Sequence, residues 1–248
     1  MLRPRTRAAI AAIRAAGAHV IFVTGRMFRS ARPYAIEAGL DEPIVCYQGA
    51  VVADPVSGVF LRHVPIPRAV ALEAIDAVVE AGFHVNCYVD DALYVAEVTP
   101  EARAYAGFQY LQVEAVGDLR TWLHADPTKL VAVGAPEELD ALEDVLKPRF
   151  RGRLFVSKSL PHFLEFAHPD VNKGSGLAFV AERLGFTSAA TVACGDGEND
   201  RELLDWAGFG VAVANAHEDI LWRADLVVPP AQDEGVAMLL EAYLDSLS

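Results

Sequence analysis

The stretch AATVACGDGENDRELLDWA, residues 189–207, decides how the rest of the chain is read. Residues 189–195 are a short, largely apolar run, the pattern of a strand covered on both faces of a parallel sheet. Residues 199–207 have helical spacing. Between them, Gly195-Asp196-Gly197-Glu198-Asn199-Asp200 puts three acids within five residues at the carboxyl end of a strand, where open α/β sheets bind ligands. Carboxylate oxygens clustered there suit a hard cation such as Mg²⁺. Complementing the positive end of the next helix would account for one acid, not three. An EF-hand calcium loop is excluded, because Arg201 stands where its glycine is required and no glutamate closes the loop.

The same alternation extends outward. Thr6–Ala16 reads as a helix through Ile10 and Ile13, ended by Gly17. HVIFVT (19–24) is another continuous apolar run, followed by a helix over 28–38, the strand PIVCY (43–47) and a hairpin over 51–64 turning at Pro55, Ser57 and Gly58. Beyond Ile66 the texture changes. A helix over 68–81 leads to alternating strands 83–89 and 92–98 joined at Asp90-Asp91. Then come YLQVEAV (110–116), a short helix near Leu119, KLVAVGA (129–135), a helix over 136–146, RLFVSK (153–158) and HFLEFA (162–167), a pattern that suggests an antiparallel α+β unit. After His168, helices over 173–184, 199–207 and 233–246 alternate with strands at 208–214 and 225–229, with a short helix from His217. The expected fold is α/β: a doubly wound parallel sheet built from residues 1–63 and 169–248, interrupted by an inserted domain over 64–168.

Composition narrows the function. The chain has 248 residues, 53% of them hydrophobic, ample for a packed core. A net charge of −13 and a pI near 4.9 argue against nucleic acid or an anionic membrane as partner, since both demand a positive surface. An anion can then be held only at a locally arranged site or through a metal. Cys46, Cys87 and Cys194 form no CxxC pair and sit in apolar runs, as buried free thiols of a reducing compartment do. The Arg- and Ala-rich amino terminus has the composition of a transit peptide, yet runs without a break into the apolar segment 18–23 and reads as part of the folded domain. No P-loop, GxGxxG, HExxH or GxSxG is present.

Two more strand or helix ends draw attention. Thr24-Gly25-Arg26 could offer a hydroxyl and backbone N–H groups to an oxyanion, or could simply cap a helix. Asn172-Lys173-Gly174-Ser175-Gly176 opens a helix with a cation that opposes the helix dipole, a placement that makes sense if an anion shares the site. The alternative is a solvated lysine in a glycine-rich loop.

VTGR (23–26), NKG (172–174) and GDGEND (195–200), in this order and with CYQGAVV (46–52), GVAVANAHE (210–218) and ADLVV…DEGVA (224–237), resemble the haloacid dehalogenase-like superfamily, specifically its Cof-type (IIB) phosphatases. The resemblance implies a Rossmann-like core with an inserted α/β cap over 64–168, and Mg²⁺-dependent hydrolysis of a small phosphorylated metabolite in the cytoplasm. An aspartate would attack the phosphorus and an aspartate two residues on would protonate the leaving group. By position, Thr24 and Gly25 would bind the transferring phosphoryl group and Lys173 would pair with its charge. Asn199 would reach the phosphate or a metal water, and Asp196 and Asp200 would form the Mg²⁺ site.

The sequence departs from that family at one point. The DxDGT motif that supplies nucleophile and acid/base on the first, central strand is absent, and no Asp-x-Asp occurs anywhere. The expectation is an incomplete chain, about twenty residues short by the family pattern and inactive as written; the alternative is a phosphate-binding protein that does not cleave.

Overall fold

The computed structural model describes residues 2–109 and 111–246. The chain divides into two compact units, Met1–Gly25 with Ala31–Arg62 and Asn172–Ser248, and Arg26–Ser30 with His63–Val171.

The first unit begins with α1 (Pro4–Ala15), whose proline sits in the first turn, where its missing N–H costs nothing. Ala9, Ile10 and Ile13 form its buried face. After α2 (Phe28–Glu37), β1 (Ile44–Cys46), β2 (Val51–Ala53) and β3 (Phe60–His63) make a three-stranded sheet in that order, with β1 and β2 antiparallel.

The segment 19–24, expected as a buried strand, is a strand only in outline. Val23 makes a single parallel bridge to Val45, and residues 19–22 take no strand pairing. A continuous ladder needs partners on both sides of a central strand, and this segment meets β1 on one side only. Residues 20–24 are accordingly half-buried and His19 is exposed.

The second unit runs through α3 (Arg68–Glu80), β4 (His84–Val89), β5 (Ala92–Val95), α4 (Pro100–Gln109), β6 (Val113–Ala115), α5 (Leu119–Trp122), β7 (Lys129–Val133), α6 (Pro136–Arg149), β8 (Phe155–Leu160) and β9 (Phe163–Ala167). Its strands form one sheet in the order β6-β5-β4-β7-β9-β8. Helices α3 and α6 cover one face, burying Ile75, Val78, Leu139 and Leu146 against Val85, Leu130, Leu164 and Phe166. The sheet is not wholly antiparallel as expected. β5 and β6 are parallel, joined by the crossover α4, which the sequence reading missed. Thr99 starts that helix, its Oγ1 accepting from the Ala102 N–H at 3.2 Å. Tyr110, expected at the head of the next strand, lies outside the described residues.

The chain then returns to the first unit with α7 (Lys173–Leu184), β10 (Val192–Gly195), α8 (Arg201–Trp206), β11 (Phe209–Val213), α9 (Glu218–Arg223), β12 (Leu226–Val228) and α10 (Gly235–Ser246). β10, β11 and β12 are parallel, in that order. The α/β class is therefore as read. The absent first, central strand of the family pattern leaves the core's strands as two three-stranded sheets, with β10 at the edge of its own. Ile21 and Val23 pack with Leu177 of α7 and Ala193 of β10 in one apolar cluster. Val192, on that edge, is 54% exposed, a large value for a valine in a strand expected to be covered on both faces. None of the three cysteines is in a disulfide; burial pushes the Cys87 thiol up to about 12 and that of Cys194 to about 11. Among the described residues no helix is long and apolar enough to cross a membrane.

Candidate active site

Lys173 is the first residue of α7, and its chain is buried at 7% exposure. Asn172 caps the helix by accepting from the Ser175 N–H at 2.7 Å, and Ser175 Oγ accepts from the Asn172 N–H at 3.2 Å. With the helix start satisfied by that box, the Lys173 ammonium turns to the β10–α8 connection. It pairs with Asp200 and donates to Asn199 Oδ1 at 3.3 Å. The cost of a cation in a first helical turn is thus offset by a buried carboxylate.

Asp200 is 3% exposed and both of its oxygens are engaged. Oδ1 meets Lys173, while Oδ2 accepts from the N–H groups of Asp196 (2.9 Å) and Gly197 (3.1 Å). It therefore fixes the backbone that carries Asp196. Burial first, then the adjacent Asp200 charge, holds the Asp196 carboxyl above the ordinary aspartate range, with Lys173 pulling the other way. The third acid of the cluster does something else: Glu198 Oε1 lies 3.0 Å from His217 Nε2, on a half-exposed pair.

The remaining expected residues converge through a residue that sequence reading did not single out. Tyr47 and Gln48, in the turn after β1, both have left-handed backbones, with φ of 52° and 59°. Such a conformation is strained for side chains of this size and recurs at functional sites. The Gln48 N–H donates to the Thr24 carbonyl at 3.1 Å, and Gln48 Oε1 accepts from Asn199 Nδ2 at 3.1 Å. Gly25 lies flush on the same carboxamide, so that a Cβ there would overlap it. The Thr24 N–H donates to the Val45 carbonyl at 2.8 Å, anchoring this loop to β1. Thr24-Gly25, Lys173, Asp196, Asn199 and Asp200 are thereby brought into one connected cluster. The motif CYQGAVV stands in the sequence, but neither Gln48's backbone angle nor its hydrogen bonds are written in residue types.

Next to it, Gly49 has φ of 105° and lies against the Asn172 carbonyl, which a Cβ would strike. Neither backbone can give way cheaply. Gly49→Ala is expected to cost about 2 kcal/mol or more, seen as a lowered urea midpoint at unchanged slope. An unchanged midpoint would mean that α7 and the β1–β2 turn are not held at this spacing.

Among the described residues no group of three His, Cys, Asp or Glu side chains converges to hold a metal. Two carboxylates do meet, Asp196 and Asp200, and their proximity raises the Asp196 carboxyl. Mg²⁺ takes one or two protein carboxylates and completes its shell with phosphate oxygens and water; with both Asp200 oxygens engaged, Asp196 is the carboxylate that fits it.

The chain's residues 1–240 match the model of the haloacid dehalogenase-like hydrolases. The chain belongs to that family. Its Cof-type phosphatase branch is represented among the relatives. The Bacillus subtilis 5-amino-6-(5-phospho-D-ribitylamino)uracil phosphatase YitU is 29% identical over 233 residues, covering 92% of this chain and 85% of that protein. The Escherichia coli pyridoxal phosphate phosphatase YbhA is 28% identical over 263 residues, covering 98% and 92%. A Thermotoga maritima protein of known structure superposes with a TM-score of 0.84 at 30% identity, over 97% of this chain and 90% of that one. This haloacid dehalogenase-like chain thus shares its fold with its relatives over nearly its whole length, although it lacks Asp-x-Asp.

Proposed function

We propose that this chain is the phosphoryl- and Mg²⁺-binding body of a phosphatase acting on small phosphate monoesters, of the sugar-phosphate kind, through an aspartyl-phosphate. The two carboxylates that would attack phosphorus and protonate the leaving group are not among its residues. The buried Lys173 ammonium, set beside Asn199 and Asp200 and joined through Gln48 to Thr24-Gly25, is the observation that carries this reading. In it, Lys173 pairs with the phosphoryl charge, Thr24 and Gly25 bind its oxygens, and Asn199 orients it. Asp196 would hold Mg²⁺, with Asp200 fixing the loop that carries it. When bound, the ion withdraws charge from the phosphoryl oxygens, where stabilisation matters most in phosphoryl transfer. The substrates in the relatives' names, a ribitylaminouracil phosphate and pyridoxal phosphate, support a small phosphorylated metabolite. Cysteines held outside any disulfide agree with a cytoplasmic setting.

The test is thermal melting with Mg²⁺ and inorganic phosphate. A ligand at a hundred times its Kd stabilises by about 2.7 kcal/mol, a rise of about 5–10 °C for a protein this size. Asp196→Asn should remove the Mg²⁺ part of the shift. A melting point indifferent to both ligands would refute the reading. A second reading, a phosphate-binding protein without turnover, is favoured by the missing Asp-x-Asp and predicts the same melting shifts; it parts from the first on restoration of the motif.

A further inference from the structure

The residue that joins the cluster is not one of its expected members. We infer that Gln48 is a positioning residue for phosphoryl binding: its carboxamide sets which way the Asn199 amide faces, and through it where the Lys173 ammonium points. This rests on the phosphate-binding reading given above.

An asparagine amide presents a donor at one end and an acceptor at the other, and a flip exchanges them. Here Gln48 Oε1 takes the Asn199 Nδ2–H at 3.1 Å, which commits Oδ1 to the opposite side. Lys173 Nζ donates to that Oδ1 at 3.3 Å and to Asp200. A flipped Asn199 would aim its NH₂ at the ammonium, donor against donor. The run Gln48–Asn199–Lys173–Asp200 is therefore polarised in one sense, and Gln48 is its only member outside the two motifs that carry the other three.

Three further features fix the Gln48 carboxamide itself. Its backbone is held left-handed at φ 59° beside another left-handed residue, Tyr47. The residue is 5% exposed, and its N–H is tied to the Thr24 carbonyl. Gly25 leaves room for the carboxamide that any Cβ would take away. A strained, buried amide in a made-to-fit space is costly to keep for packing alone.

The decisive variant is Gln48→Gly, because glycine accepts φ 59° without strain while the carboxamide is lost. The fold should hold, with a melting point at or above that of the parent. Binding of inorganic phosphate, followed by calorimetric titration in Mg²⁺, should weaken about tenfold, the size of one buried hydrogen bond to a polar partner. Affinity for Mg²⁺ without phosphate should change less than about twofold, since the asparagine lies between Gln48 and the ammonium, not the carboxylates. Asn199→Ala should weaken phosphate binding by a similar factor, and the double variant should be no worse than either single one. Additive losses, or full phosphate affinity in Gln48→Gly, would overturn the inference. Should the parent itself bind no phosphate, the binding-site reading falls. The inference is then decided by the Asn199 side-chain amide in a ¹H–¹⁵N spectrum. Its two NH₂ resonances should shift and exchange faster with water in Gln48→Gly, and unchanged resonances would rule out positioning.

Discussion

Lys173→Met is expected to destabilise the protein by about 3–5 kcal/mol and to abolish phosphate binding. Lys173 and Asp200 are 7% and 3% exposed, so removing the ammonium leaves a carboxylate buried without its counter-charge. The surrounding N–H groups of Asp196 and Gly197 relieve part of that burden but cannot replace a full positive charge. For a chain of this length the loss corresponds to a fall in melting temperature of about 10 °C. The same argument fixes a second result. Lys173→Met combined with Asp200→Asn removes both charges, keeps an acceptor for the two N–H groups, and should recover most of the stability, because a buried ion pair taken out whole costs little. Phosphate binding should stay absent in the double variant. Urea unfolding of the parent and the two variants checks this; a single variant within about 1 kcal/mol of the parent would mean the pair is not buried in solution.

That pair also shows what could be read from sequence. Lysine in the first turn of a helix was legible as an anomaly calling for an anion, because the helix dipole penalises it whatever the fold. That Asp200 serves as the resident partner was not legible, since their contact spans residues 173 and 200 and depends on how α7 meets the β10–α8 loop. The acidic cluster was readable as a cluster, but not how its members divide their work. Asp200 ties down backbone, Asp196 is left with a raised carboxyl, and Glu198 leaves for His217.

Strand periodicity served best where each strand has its neighbours. The runs at 208–214 and 129–135 became β11 and β7, both buried inside sheets. It overstated 19–24, where the apolar pattern is intact but the neighbour on one side is not, and apolar pattern alone does not report pairing. Helix α4 escaped because Ala and Gly dilute its apolar stripe, and Tyr105 buries its ring on the sheet face opposite α3 and α6. There its hydroxyl meets that of Tyr88 at 2.6 Å, beside the buried Lys129–Glu165 pair. Strands that carry Asn86, Tyr88, Lys129 and Glu165 on one face of the sheet read as half-solvated, whereas here all four residues are buried.

Supplying a strand that ends in Asp-x-Asp is expected to turn the chain from a binder into an enzyme. The 248-residue chain is expected not to hydrolyse p-nitrophenyl phosphate in Mg²⁺, because it has no Asp-x-Asp to supply the attacking carboxylate and the acid. The first unit has a place for such a strand. The Thr24 N–H and the Phe22 carbonyl pair with Val45, so the polar backbone groups of Val23, between them, point away from β1. Likewise the Thr191 carbonyl pairs with Phe209, so those of Val192 point away from β11, at an edge that leaves the residue 54% exposed. Both edges belong to one apolar cluster with Leu177 of α7. A segment of apolar residues closing in Asp-x-Asp, joined ahead of α1, should pair with both, protect the amides of Val23 and Val192 from hydrogen exchange, and raise the hydrolysis rate by about a thousandfold or more. Replacing its first aspartate by asparagine should return the rate to background with the protection retained. Protection without turnover would favour the phosphate-binding reading over the enzymatic one. Turnover by the 248-residue chain alone would show that a carboxylate already present, in a position this structure does not assign to chemistry, does the attacking.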